Sequence, residues 1–200
     1  MACRGIVAPM DAGRPTPDRA GTPSDLLRGL RRVRQYREFT REPVDQADLD
    51  SILEVARWSG SSRNTQPWRF IVIRDVGSIR KIAETGLPQT RSLGTAMAAI
   101  AITLPAAPDR AISHAYDDGR AAERMLIAAS LLGLGAGIAW VRPDVLESIG
   151  AMLKLPTDHI VRTVLALGHP TDAARAPKSA PGEARLPLEE LVFQEHWPEG

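Results

Sequence analysis

The sequence predicts a mixed α/β sandwich, one central sheet covered by helices on both faces. Three observations predict it. Short apolar runs of strand length alternate along the chain with segments of helical periodicity, the pattern of a sheet layered by helices. One of these runs, WRFIVI at Trp68–Ile73, is β-rich and bounded by Pro67 and Asp75, which suits a largely buried strand. The 200-residue length suffices for one sizeable core and argues for a single domain.

Residues 1–23 are rich in Pro, Gly, Asp and Arg without apolar periodicity and read as a flexible extension, leaving residues 24–200 as the domain. Ser24 can cap a first helix, whose Leu26, Leu27, Leu30 and Val33 recur at helical spacing. A second helix follows Pro43, with Asp45 as cap and a stripe of Leu49, Ile52, Leu53, Val55 and Ala56. It ends in the polar loop SGSSRNTQP. Strands are expected at Trp68–Ile73, Ala98–Leu104, Gly135–Val141 and Ile160–Leu167. Between them lie helices over Val76–Thr85 and Tyr116–Leu132 and one opened by Pro143, which is favoured at a first helical position. The final stretch, with Leu186, Leu188, Leu191, Val192, Phe193 and Trp197, is too apolar to dangle and is expected to embrace a partner subunit.

Twenty-five basic and twenty-four acidic side chains leave a formal charge of +1, so no overall field draws the protein to nucleic acid or an anionic membrane. Cys3 is the only cysteine, which rules out an intramolecular disulfide and fits a reducing cytoplasm. The N-terminal residues carry no sustained apolar core of a secretory signal. The most apolar run, Met125–Val141, is shorter than the ~20 residues of a spanning helix and is interrupted by Gly133, Gly135 and Gly137. It reads as a buried helix followed by a buried strand.

Two constellations carry chemistry. In RQYREF, Arg34 and Arg37 sit three apart at a helix end and could offer forked donors to one phosphate, each bond worth about 1.5–3 kcal/mol. The same residues could equally be solvated cations complementing the helix dipole. In SGSSRNTQPW, hydroxyls, Asn64 and Gln66 crowd between a helix and a strand. Neutral donors and acceptors of this kind suit the pyrimidine ring and ribityl chain of a flavin, though turns are commonly rich in Ser, Gly and Asn.

Together these stretches resemble the FMN-dependent nitroreductase family. RQYREF, Pro43-Val44 and ARWSGSSRNTQPW stand in the family's order and at matching separations, followed by LIAASLLGLGAGIAW and LKLPTDHIVRTVLALGHP. The resemblance runs from about residue 25 to the tail. It implies a homodimer with FMN at its interface, NAD(P)H as electron donor and a small acceptor such as a nitroaromatic or quinone. It further implies that Arg34, Gln35 and Arg37 hold the FMN phosphate and pyrimidine edge, with Arg37 stabilising charge on the flavin. Ser61, Ser62, Asn64 and Gln66 would reach FMN from the other subunit. The backbone of Ile138, Ala139 and Trp140 would face the isoalloxazine, and Arg185 would pair the phosphate. Three positions depart from the family pattern: Gln35 for Ser, Gly60 for Pro, and Glu183 for a basic residue.

His114, His159, His169 and His196 show no metal-ligand spacing and read as surface or turn residues, so no metal site is expected. GLGAG, Gly133–Gly137, precedes a strand where a dinucleotide loop would follow one, and reads as a device for tight helix-to-strand packing. Ser61 and Ser62 have no accompanying His and Asp in a nucleophilic arrangement. Two other functions stay open on sequence: a divergent enzyme of the same scaffold that fragments flavin or dehalogenates reductively, and a flavin-binding protein without turnover.

Overall fold

The computed structural model describes residues 22–179 and 185–197. Most of the expected N-terminal extension, and Glu183, lie outside the described residues. Contacts divide the chain after Arg32 into two units. In the first, helix α1 (Pro23–Arg32) begins at Pro23, so Ser24 lies inside it and Thr22, not Ser24, stands in the capping position. The Thr22 hydroxyl and amide both donate to the Asp25 carboxylate, at 2.7 and 3.1 Å, and Thr22 Oγ1 accepts from the Asp25 amide. This reciprocal pairing satisfies first-turn donors that Ser24, already inside the helix, cannot reach.

The second unit is built on helices α2 (Gln46–Arg57), α3 (Val76–Thr85), α4 (Ala111–Leu131), α5 (Leu146–Met152) and the single turn α6 (Asp172–Arg175). Its strands are β1 (Arg69–Ile73), β2 (Ala98–Pro105), β3 (Gly135–Trp140) and β4 (His159–Gly168), ordered β1-β2-β4-β3. All three ladders are antiparallel, and the parallel component among the described residues is a single bridge, Gln35 against Ala136.

Period-two alternation splits the core between the two faces of this sheet. Ile100, Ile102 and Leu104 of β2 and Leu165 and Leu167 of β4 meet α2 and α4. Ala99 and Ala101 of β2 and Val164 and Ala166 of β4 meet α3 and α5 through Ile79, Ile82 and Ile149. Both central strands are thus covered on both sides, which is why their sequences read as continuous apolar runs. A bulge shifts the β2–β4 register between Ile102 and Thr103. Arg162 is the extra residue: Thr103 faces Val161 and Ile102 faces Thr163.

Two local details refine the sequence reading. Asp45 takes the N-cap conformation of α2 but its side chain makes no capping bond. Helix α4 starts five residues before the expected Tyr116, and its early turns bury His114, Asp117 and Asp118. Their polarity hides that face in the sequence, since a buried helix stripe is ordinarily apolar.

Candidate functional site

Strand β3 is a sheet edge, and its outer side is taken up by the run Arg34–Phe39. The Tyr36 amide donates to the Ala136 carbonyl at 2.8 Å, and the Ile138 amide donates to Gln35 Oε1 at 3.1 Å. A side chain supplies the second rung where a regular strand would use its backbone. Glycine makes this approach possible: a Cβ on Gly137 would overlap the Tyr36 carbonyl oxygen, and one on Gly135 would stand 3.1 Å from both the Phe39 and Tyr36 rings. Gly135 and Gly137 therefore admit the arginine-bearing run, while Gly133, at φ 78°, makes the helix-to-strand turn that the sequence led one to expect of the motif. Farther along, the Phe39 amide donates to Thr95 Oγ1 at 3.1 Å and Phe39 bridges Pro170.

The arginines of this run differ in their surroundings. Arg34 is half-buried and uses all three nitrogens inside the protein. Nε donates to the Tyr36 hydroxyl at 3.1 Å, while Nη1 and Nη2 reach the carbonyls of Ala174, Arg175 and Ala176. Those carbonyls close the one-turn helix α6, whose last C=O groups have no helical partner, so a guanidinium fork answers an unmet acceptor set. The guanidinium also lies 4.9 Å over the Tyr36 ring. Arg37 is exposed. On β3 itself the Ala139 side chain is buried in the core, whereas Trp140 is half exposed at the strand end.

The second cluster is the loop between α2 and β1. Arg63, Asn64 and Gln66 adopt left-handed φ values of 53°, 55° and 48°, and none is glycine. Each such residue costs of order 1–3 kcal/mol, so the loop keeps its shape because other bonds fix it. Ser61 Oγ accepts from the Gln66 amide at 2.9 Å and folds the loop on itself. The Ser62 amide donates to both oxygens of Asp117 on α4, at 3.2 and 3.3 Å. Asp117 is almost fully buried and is balanced by Arg120 Nη1 at 3.6 Å. Ser62, Asn64 and Gln66 are exposed and Ser61 half-buried.

Sequence reasoning missed Asp117 and its neighbour Asp118. Asp118 accepts from Thr163 Oγ1 at 2.7 Å, and burial pushes its carboxyl up to about 6 against the opposing pull of Thr163 and Arg162. Two adjacent acids in a helix whose later half is apolar were the available signal.

The two clusters do not meet within one chain. The Arg34–Arg37 run lines β3 and the Ser61–Gln66 loop leads into β1, the opposite edge. Three inter-strand steps of about 4.8 Å separate those edges by roughly 14 Å. Arg185 is exposed in the tail, where Leu186, Leu188 and Trp197 are exposed as well. His114 is buried, with Nδ1 3.3 Å from the Pro105 carbonyl, so it is not the surface residue its spacing suggested. Among the described residues no group of three or more His, Cys, Asp or Glu could hold a metal ion.

The fold and this site define a class: a helix-covered antiparallel sheet with a basic run on one edge and a strained polar loop on the other. The chain belongs to the nitroreductase family. The family model described as "Nitroreductase family" matches residues 30–103. The chain is 30% identical to a protein of Archaeoglobus fulgidus provisionally named NADH dehydrogenase/NAD(P)H nitroreductase, over 74% of this chain and 87% of the relative. It is also 30% identical to the FMN reductase [NAD(P)H] of Bacillus subtilis, over 86% of this chain and 74% of that enzyme. An FMN-dependent nitroreductase from Clostridium difficile shares the fold with a TM-score of 0.73 at 23% identity, covering 84% of this chain and 98% of that structure.

Proposed function

We propose that this protein is an NAD(P)H-dependent oxidoreductase that binds FMN between two copies of the chain and reduces a small acceptor such as a nitroaromatic or quinone. The observation that carries the reading is the β3 edge, where Gln35 is held against Ile138 beside the exposed Arg37. The residues present fit the cofactor. Past the Gln35–Ile138 bond the end of β3 would present backbone groups to a pyrimidine ring, the exposed Arg37 is a forked cation for a phosphate that Arg34 would join on leaving its carbonyls, and Ser61, Ser62, Asn64 and Gln66 offer neutral partners for a ribityl chain. Names of relatives agree, since the Bacillus subtilis protein is an FMN reductase using NAD(P)H.

The homodimer is the arrangement in which a loop from one chain and a basic run from the other would close on one flavin, and the placement of the two clusters on opposite sheet edges is compatible with it. The surface supports this: α4 exposes Ile112, Tyr116 and Leu131, and the tail exposes Leu186, Leu188 and Trp197. Arg185 of that tail would join the phosphate contacts. Bound FMN would supply the electron transfer from NAD(P)H to the acceptor. The chain's own residues bind and orient: Arg34 would exchange carbonyl partners for phosphate oxygens, the backbone of Ile138, Ala139 and Trp140 would face the ring system, and Arg37 would favour added negative charge beside it. Among the described residues no helix is long and apolar enough to cross a membrane.

The test is to purify the protein, titrate it with FMN and add NADPH without oxygen. A bound flavin whose visible band bleaches is the expected result. A protein that takes up no FMN at micromolar concentration overturns the reading, and one that binds FMN but never bleaches it reduces the function to flavin binding. Arg37→Ala should shift the potential of the bound cofactor to a more negative value; an unchanged potential removes Arg37 from that role.

A further inference from the structure

We infer that Asp117 is a positioning residue for the flavin-facing loop, an inference that rests on the proposed FMN site. Ser61 stands where a helix cap would stand, ahead of the short turn Ser62–Asn64, but its hydroxyl is committed to the Gln66 amide. The Ser62 amide, the first of the turn, lies beyond the reach of that hydroxyl in any case, and Asp117 receives it with both carboxylate oxygens from the neighbouring helix. The acceptor is buried on a 21-residue helix, which holds it in place for the loop. The three left-handed residues Arg63, Asn64 and Gln66 follow directly and depend on that anchor, since relaxing any of them to ordinary φ would re-aim the Asn64 and Gln66 side chains. Within the proposed cradle Asp117 contacts the Ser62 amide, and its own side chain offers nothing to the cofactor. It acts through Ser62.

Asp117→Ala removes the acceptor, and Asp117→Asn keeps one oxygen in place. FMN affinity should fall about tenfold or more in Asp117→Ala, the size of one lost charge-assisted bond, and return most of the way in Asp117→Asn. Asp118→Asn serves as a neighbour control, because its carboxylate faces Thr163 and not the loop, and it should leave FMN affinity unchanged. Amide exchange at residues 62–66 gives a second readout without cofactor: it should speed up in Asp117→Ala and stay slow in Asp117→Asn. Native affinity in Asp117→Ala overturns the inference, as does an Asp117→Asn protein as weak as Asp117→Ala. If the native chain itself binds no FMN, the proposed function fails while the exchange data still decide whether Asp117 fixes the loop.

Discussion

Gly137→Ala should damage the fold and the proposed site together. A Cβ at this position overlaps the Tyr36 carbonyl oxygen and reaches Ser92 Cβ at 3.4 Å, and backbone on one side leaves no flexible side chain to yield. The Arg34–Phe39 run must then back away from β3 by roughly 1 Å to restore van der Waals separation. That distance breaks both rungs, the 2.8 Å bond from the Tyr36 amide to Ala136 and the 3.1 Å bond from the Ile138 amide to Gln35. Two hydrogen bonds at about 1 kcal/mol each, plus about 1–3 kcal/mol of overpacking, come to about 3–5 kcal/mol. Urea unfolding measures it: the midpoint should fall with the slope unchanged, as for a loss of native stability. Gly94→Ala, where a Cβ meets nothing within 4 Å, is the matched control. FMN affinity should drop in Gly137→Ala as well, because Gln35 and Arg37 move with the run. A Gly137→Ala protein within about 0.5 kcal/mol of native would refute the claim that the glycine exists to admit Tyr36.

Three further outcomes follow. Asp118 is held protonated more readily in the folded chain, its carboxyl raised to about 6 from an ordinary 3.8. A raised carboxyl pKa means the folded state binds more protons than the unfolded state between those values, so stability falls as pH rises from about 4 to about 6, by about 3 kcal/mol in order of magnitude. Asp118→Asn should lose that slope relative to native and unfold later at pH 8; parallel pH profiles for the two proteins contradict this. Thr90→Val removes a fully buried hydroxyl that donates to the Ala83 carbonyl at 2.6 Å and should cost about 1–3 kcal/mol in urea unfolding; a neutral substitution would mean that the carbonyl finds another donor. Arg34→Lys should loosen α6, because a point charge cannot span the carbonyls of Ala174, Arg175 and Ala176, and amide exchange at residues 172–176 should rise; unchanged exchange there would show that the fork is dispensable.

Much of the fold was legible because its central strands are covered on both faces. Ala98–Pro105 and the second half of His159–Gly168 are apolar almost throughout, and α3 spans Val76–Thr85, the bounds its sequence suggests. What was not legible depends on pairing. Nothing in β3 as a string of residues says that Gln35 will bond to Ile138, or that Gly135 and Gly137 clear a path for the Tyr36 segment. The early turns of α4 look like an exposed segment because Asp117 and Asp118 are acids, and their burial follows from partners on the α2–β1 loop and on β4. Arg34 illustrates the same limit: nothing in two arginines three apart says that one of them also bonds the closing carbonyls of α6. The strain at Arg63, Asn64 and Gln66 is likewise invisible in a loop whose composition is ordinary for a turn.

Two doubly substituted chains measure most directly whether one flavin is shared by opposite edges of two sheets. One chain carries Arg34→Ala with Arg37→Ala, the other Ser62→Ala with Asn64→Ala, and the pair is coexpressed with different tags so that mixed dimers can be isolated. Each substituted chain alone should fail to retain FMN, while the mixed dimer, having one site with both halves intact, should bind one FMN per dimer at native affinity. A mixed dimer that binds none, or a substituted chain that binds normally by itself, would contradict a site assembled from the basic run of one chain and the polar loop of the other.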